Sequence, residues 1–374
     1  SFIAGAGAFP LAGALLSGCK PSAPAAPAAP PAPAPAITLT EAQAKRIGMT
    51  MVSWRHDMTP SVPQIGEPFP TGIKFDVLTA PKYFKDNFGI SNVEVWNYQF
   101  PDKGPDFLAK LRGACESIGS RIIDLQLDQT PDEPCDLSST DGKVRADSIA
   151  VAKAWMDRAK LLGSPLMRVN VDSGKADLPL VLGPAVESFK ALAEYGQSIG
   201  VKILVENHIG ASAKVDNCVA ILKGVNHPFC RAIIDWGNSQ ATSPEARVAD
   251  LSKLFPWVEL VSAKGLRFDA NYNHIDYPIA PIVAATEASG YKGVYSIELY
   301  NTPAPADTDK AVEGSSRIST RAFWLIALAI SVNCFWPAPR SPTSAVGSTS
   351  TCNMSKIACA RRIESASSIM PRAS

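Results

Sequence analysis

A chain of 374 residues, 46% of them hydrophobic, can bury a sizeable core as one large α/β domain or two smaller ones. Its formal net charge of +1 offers no surface for a polyanion, which argues against nucleic acid as a partner. The 31 prolines exceed ordinary usage, but many stand in one N-terminal tract and describe a linker rather than a fold.

Residues 1–18 are almost uncharged and rich in Ala, Gly and Leu, and Leu16-Ser-Gly-Cys19 follows. The pattern resembles a bacterial lipoprotein signal, in which the cysteine is lipidated and becomes the new N-terminus. Residues 1–19 are therefore read as a signal with a lipobox. The protein is expected to be exported, periplasmic or at the cell envelope, and held to a membrane only through a lipid on Cys19. The Pro/Ala tract of residues 20–36 would be a semi-rigid extended spacer.

A globular domain is expected over residues 37–313. Thr40 to Arg46 is a short helix candidate with a threonine cap. Strand and helix patterns then alternate. Strands are predicted at Ile73–Leu78, Asn92–Asn97, Arg121–Leu127, Leu166–Val171, Val201–Glu206, Arg231–Asp235, Trp257–Lys264 and Gly293–Tyr300. Helices are predicted between them at Lys82–Phe88, Asp106–Ile118, Asp147–Leu162, Pro184–Ile199, Val215–Lys223, Pro244–Leu254 and Ile279–Ser289. Eight strands alternating with helices over about 230 residues match a (β/α)8, or TIM, barrel in count, size and order. An open doubly wound sheet would carry a G-x-G-x-x-G loop after an early strand, and this sequence has none.

The last helix of such a barrel is not clear. Asp307 to Val312 begins like one, then the pattern is lost. Residues 317–374 hold seven Arg or Lys against the single acid Glu364, and three of the eight cysteines. The apolar run Phe323–Trp336 is too short to cross a bilayer comfortably. Residues 314–374 are read as an aberrant or disordered tail, with a shifted reading frame favoured over a replacement helix. No C-x-x-C pair occurs, so a zinc ribbon or thioredoxin-like site is not expected, and Cys115, Cys135, Cys218 and Cys230 are expected as buried free thiols.

Three predicted strands run from apolar residues into an acid: Glu206, Asp235 and Glu298. In a parallel barrel the C-terminal strand ends share one mouth, where the chemistry of such folds sits. Three carboxylates there suit a hard divalent cation such as Mn²⁺ or Mg²⁺. A metal on adjacent carbonyl and hydroxyl oxygens of a sugar stabilises an enediolate, and flanking carboxylates can move the proton.

Val205-Glu-Asn-His208, Ile234-Asp-Trp-Gly-Asn238, Val261-Ser-Ala-Lys-Gly265 and Ser296-Ile-Glu298 together resemble the sugar phosphate isomerase/epimerase family of xylose-isomerase-like barrels. The resemblance covers roughly residues 70–312, and Asn92–Asn97 looks like that family's second strand. It implies a metal held by Glu206, Asp235 and Glu298 together with a histidine, with the two glutamates also shuttling the proton as catalytic residues. Two positions depart from the pattern: Ser262 stands where the family's metal-binding histidine is expected, and Asn238 where a substrate-contacting histidine is usual.

Further substrate-binding candidates are His208, Asn238, Lys264, Arg267 and Trp96. His208 shares the face of Glu206 two residues earlier. Lys264 could polarise an oxyanion, Arg267 could grip an anion, and Trp96 or Trp236 could wall a sugar pocket. Each has a plainer reading: a surface lysine, a loop salt bridge, barrel-core packing. His56, His227 and His274 read as loop residues. The expected activity is metal-dependent isomerisation or epimerisation of a small carbohydrate or hydroxy-carbonyl compound. The alternatives are a keto-sugar lyase or hydratase on the same site, or a carbohydrate-binding barrel that has lost catalysis, as Ser262 and Asn238 suggest. A DNA-repair endonuclease of this superfamily would need several histidines around a metal cluster, and the chain has four in all.

Overall fold

The computed structural model describes residues 42, 45–55, 57–59, 75–130, 132–172, 180–267 and 275–300. The lipobox and Cys19, the Pro/Ala tract, His56, His274 and the tail after residue 300 lie outside the described residues, as do four of the seven residues of the Thr40–Arg46 helix candidate.

Among the described residues ten strands occur, and eight of them close a barrel. β1 is Ile47–Thr50, β2 Met58–Thr59, β3 Phe75–Asp76, β4 Asn92–Trp96 and β5 Arg121–Leu127. β6 is Leu166–Val169, β7 Lys202–Glu206, β8 Cys230–Asp235, β9 Val258–Gly265 and β10 Tyr295–Leu299. The barrel order is β1-β10-β9-β8-β7-β6-β5-β4, and β1 pairs with β4 to close it, every neighbour being parallel. The expected (β/α)8 architecture is thus present. Its helices are α1 Ala80–Phe88, α2 Pro105–Ser117, α3 Gly142–Leu162, α4 Leu182–Ile199, α5 Val215–Val225, α6 Pro244–Ser252 and α7 Ile279–Ala288.

Local signals set the helix ends. Asp141 accepts from the backbone N–H groups of Lys143 and Val144, so α3 starts five residues before the predicted Asp147. Gly163 closes α3 and Gly200 closes α4 in the left-handed conformation that glycine adopts without a Cβ penalty. Ser243 caps α6 and Pro244 occupies its first turn.

The first strand differs from expectation. Ile73–Leu78 is expected to open the barrel, yet among its described residues, 75–78, the strand is Phe75–Asp76, and it pairs with Met58–Thr59 in a separate two-stranded sheet. Ile47–Thr50 takes its place. At Gly48 a Cβ would meet Val294, Ile123 and Ser296 at 3.1–3.2 Å, so the tight barrel wall is built there from a glycine rather than a β-branched residue. Phe75 goes instead to an aromatic cluster, with its ring 4.8 Å from Tyr83 and 5.7 Å from Trp54.

Side chains alternate between the helices and the barrel axis. Outward residues such as Ile203, Val205, Ile234 and Ile297 join the main core. Inward residues form layers. The lowest is apolar, with Ile123, Leu166, Leu204, Ile233 and Leu260 packed together and Val294 against them. Two residues further along each of β6 to β10, on the same face, stand Arg168, Glu206, Asp235, Ser262 and Ser296. The apolar layer plugs the barrel, and the polar layer above it faces the C-terminal mouth.

Candidate active site

The strand register assembles the cluster. Asp235 pairs with Ser262 across β8 and β9, Ser262 with Ser296, and Lys264 with Glu298 across β9 and β10. All are buried. The Ser262 hydroxyl lies 3.1 Å from both Asp235 Oδ2 and Glu298 Oε2. Lys264 Nζ lies 2.9 Å from Asp235 Oδ2, 3.0 Å from Glu298 Oε1 and 3.1 Å from Asn238 Oδ1. One ammonium therefore joins two carboxylates and an amide oxygen.

The supports of this cluster are local. Asp235 Oδ1 accepts from the N–H groups of Gly237 and Asn238, at 2.7 and 2.9 Å, leaving Oδ2 for Ser262 and Lys264. Asn207 clamps the Asp235 backbone, donating to its carbonyl at 2.8 Å and accepting from its N–H at 2.9 Å. Tyr277 donates its hydroxyl to the Lys264 carbonyl.

Glu206 has a different partner. Arg168 Nε lies 2.9 Å from Glu206 Oε2, a close charge contact without an aligned hydrogen bond. The same guanidinium bonds Asp128 Oδ1 and, at 3.2 Å, the Leu127 carbonyl. Asn170 donates to Asp128 at 2.7 Å. The amide oxygen, an acceptor only, faces His208 Nδ1 at 2.9 Å, so that nitrogen carries the imidazole proton. Trp96 donates to the other Asp128 oxygen at 2.8 Å, with its ring stacked on Tyr98.

These contacts separate the two glutamates in acidity. Burial raises Glu206, the Asp235 charge adds to that, and Arg168 only partly offsets them, leaving the carboxyl at about 8. Burial also works against the Glu298 carboxylate, but the Lys264 charge and the hydrogen bonds from Lys264 and Ser262 outweigh it and hold the group below its ordinary value. Burial disfavours the Lys264 ammonium, yet Asp235, Glu298 and Glu206 keep it protonated above the ordinary lysine range. His208 is pushed down to about 3 by burial and by Arg168, so its ring is neutral at pH 7.

Of the residues singled out in the sequence, Glu206, Asp235, Glu298, Lys264 and Asn238 come together, and His208 and Trp96 border them through Asp128 and Asn170. Arg267 does not join them. It is exposed and spent on Asp276, bonded from Nε and from its backbone N–H, both at 2.8 Å. Trp236 is fully buried, its ring near Tyr295. Arg168, Asn170 and Asp128 are functional neighbours that the sequence reading does not single out. Leu166-Met-Arg-Val-Asn-Val171 held the signal, because two polar residues at strand spacing inside an apolar run must face something polar.

The divalent ion expected from the resemblance, Mn²⁺ or Mg²⁺, meets a donor set that does not fit it. A serine stands at the nitrogen-ligand position, Asp235 and Glu298 share one ammonium, and Glu206 faces a guanidinium. Among the described residues no three His, Cys, Asp or Glu side chains group so as to hold a metal ion. As placed, Asp235 and Glu298 are engaged by Lys264, and Glu206 lies against Arg168.

The model of the xylose isomerase-like TIM barrel family matches residues 86–318, well over half of the chain. The chain belongs to that family. No curated protein matches its sequence. Among solved structures, an L-ribulose 3-epimerase is similar at 15% identity, covering 77% of this chain and 95% of its own, with a TM-score of 0.59. A D-psicose 3-epimerase from Clostridium cellulolyticum H10 is similar at 13% identity, covering 78% and 98%, with a TM-score of 0.55. A 3-keto-D-glucoside 4-epimerase from E. coli is similar at 12% identity, covering 75% and 98%, with a TM-score of 0.51. At these identities the likeness speaks for the fold.

Proposed function

We propose that this barrel is a sugar isomerase or epimerase that moves a proton between carbons of a free sugar or small hydroxy-carbonyl compound. The carrying observation is the pair Glu206 and Glu298, buried at one mouth, with Glu298 held as carboxylate by Lys264 and Ser262 and Glu206 raised to about 8. Two titratable groups pushed apart by their surroundings divide into an acid and a base. Epimerases of ketoses and of a keto-glucoside on the same fold lend the substrate class.

In this reading Glu298 takes the proton from the carbon beside the carbonyl. The enediolate oxygen that forms faces the Lys264 ammonium, which stabilises its charge among buried groups. Glu206, protonated, returns a proton to the neighbouring carbon in an isomerisation, or to the opposite face of the same carbon in an epimerisation. After turnover Glu298 carries the proton and Glu206 is ionised; exchange with water once product leaves restores both, and in the reverse reaction their roles are exchanged. Unprotonated His208 Nε2 and the Trp96 indole would contact sugar hydroxyls and a sugar face. A keto-sugar lyase or hydratase would use the same first step and differ in expelling or adding water afterwards.

A carbohydrate-binding barrel without catalysis is the second reading, favoured by the engagement of Lys264 with both carboxylates and Asn238. Incubation of the protein with a panel of ketoses and aldoses, read by NMR, separates the two. New isomers or epimers are expected from catalysis, and shifts of protein resonances without any new sugar from binding alone. Export and anchoring through Cys19 are part of the same proposal, checked by mass spectrometry of the mature N-terminus for an acylated cysteine.

A further inference from the structure

The position a metal would take in this barrel is already filled by the chain. Lys264 is 5% exposed, and its Nζ contacts Asp235, Glu298 and Asn238 between 2.9 and 3.1 Å. The path of its side chain is built in. At Gly237 a Cβ would stand 2.7 Å from Lys264 Cδ and 2.8 Å from Cγ, so the lysine stem lies in a groove that only glycine leaves open. The Tyr300 ring centroid lies 5.5 Å from the ammonium, and Tyr277 fixes the backbone of the same residue. Ser262 completes the arrangement. A hydroxyl can donate to one carboxylate and rotate toward the other, whereas a neutral imidazole has a single N–H and a bulkier ring.

We infer that the Lys264 ammonium serves as the built-in cation of this site, standing between Asp235 and Glu298 where a divalent metal would otherwise sit, so that the barrel works without one. This rests on the proposed function only for what the cation does to an enediolate. The occupancy itself stands on the contacts. A single tethered charge also differs from a metal in kind: it stabilises one oxyanion and donates hydrogen bonds, but cannot chelate two sugar oxygens at once. A sugar held here would present its carbonyl to the ammonium through a hydrogen bond, rather than having carbonyl and neighbouring hydroxyl gripped together.

The test is Mn²⁺ binding by calorimetry and by the electron paramagnetic resonance signal of free Mn²⁺, on the full-length protein and two variants. Ser262→His restores a nitrogen donor, and Ser262→His with Lys264→Met also removes the ammonium. Circular dichroism confirms the fold of each. The native chain is expected to leave millimolar Mn²⁺ free. The single variant should bind weakly, and the double variant more tightly by on the order of 10- to 100-fold. Micromolar binding by the native chain that Asp235→Asn abolishes would overturn the inference. Equal affinity of the two variants would do so as well, since the lysine would then not occupy the place of the metal. A folded double variant that binds nothing would show that the carboxylates never formed a cation site, and is equally adverse. The native-chain titration decides the matter even where a variant does not fold. A native chain that binds no Mn²⁺ and also leaves every sugar unchanged would keep this inference and sink the isomerase reading.

Discussion

The two sides of the barrel interior handle buried carboxyl groups in opposite ways. On the β8 to β10 side, Asp235 and Glu298 share the Lys264 ammonium and the Ser262 hydroxyl. On the β4 to β5 side, Glu94 and Asp124 are register partners on adjacent strands, and the Gln126 amide donates to Glu94 at 2.9 Å. Burial raises Glu94 well above its ordinary value, with the Asp124 charge adding to it, and raises Asp124 to about 7 against the pull of Arg168. Equal burial thus leaves Glu298 below its ordinary value where Lys264 and Ser262 bond it, though burial still raises Asp235 beside the same ammonium, and it raises both acids of the Glu94–Asp124 pair. A barrel can keep a reactive base and a neutral scaffold within one layer by the placement of a single lysine.

The largest effect is expected from removing that lysine. Lys264→Met leaves two buried carboxylates without their cation and should cost about 3–5 kcal/mol at neutral pH, read from urea unfolding. Stability close to that of the native chain would mean that the ammonium is not what balances the two acids. Proton transfer to sugar should be lost in the same variant.

The opposite side predicts a pH effect of similar origin. Asp124 has a folded value of about 7 against an ordinary 3.8, so the folded chain binds more protons than the unfolded one between those values. Stability is therefore fullest below about 4 as far as this group is concerned, and falls as pH rises toward about 7. The shift corresponds to a loss on the order of 4 kcal/mol at pH 8. Asp124→Asn should flatten that slope and be more stable than the native chain at pH 8. A native stability that rises over the window, and an Asn variant that loses it, would reverse the comparison between the two sides.

Ser262→Ala removes a hydroxyl shared by two carboxylates and should cost about 1–3 kcal/mol, with the pH at which Glu298 titrates moved upward in the activity profile. Arg267→Ala is the control outside both sides, since the side chain is 69% exposed and paired with Asp276. No change in unfolding midpoint or in sugar turnover is expected, and a large fall in turnover would return Arg267 to the substrate.

Strand ends were the legible part of this protein. Glu206, Asp235 and Glu298 each follow a short apolar run, and period-two alternation places them on the barrel axis without reference to any partner. What the sequence did not disclose depends on pairing between strands. Lys264 reads equally well as a surface lysine until β9 and β10 are set in register, when it falls opposite Glu298. The first strand was misplaced because Ile47–Thr50 has only four residues and a glycine where the wall is tightest. Ile73–Leu78 has the stronger strand propensity, yet Phe75 is drawn to Trp54 and Tyr83 outside the barrel. The Arg168–Asp128–Asn170–His208 chain is hidden for a related reason, being assembled from β6 and the residues just after β5, β6 and β7.

The most direct test of proton transfer by Glu206 and Glu298 is exchange of sugar C–H for deuterium. The native chain, Glu298→Gln and Glu206→Gln would be incubated with ketoses in D₂O and followed by NMR. The account predicts deuterium at the carbon beside the carbonyl with the native chain, little or none with Glu298→Gln, and exchange without epimer or isomer formation with Glu206→Gln. Sugars that bind the native chain yet keep every C–H proton would contradict it and leave a carbohydrate-binding barrel in its place.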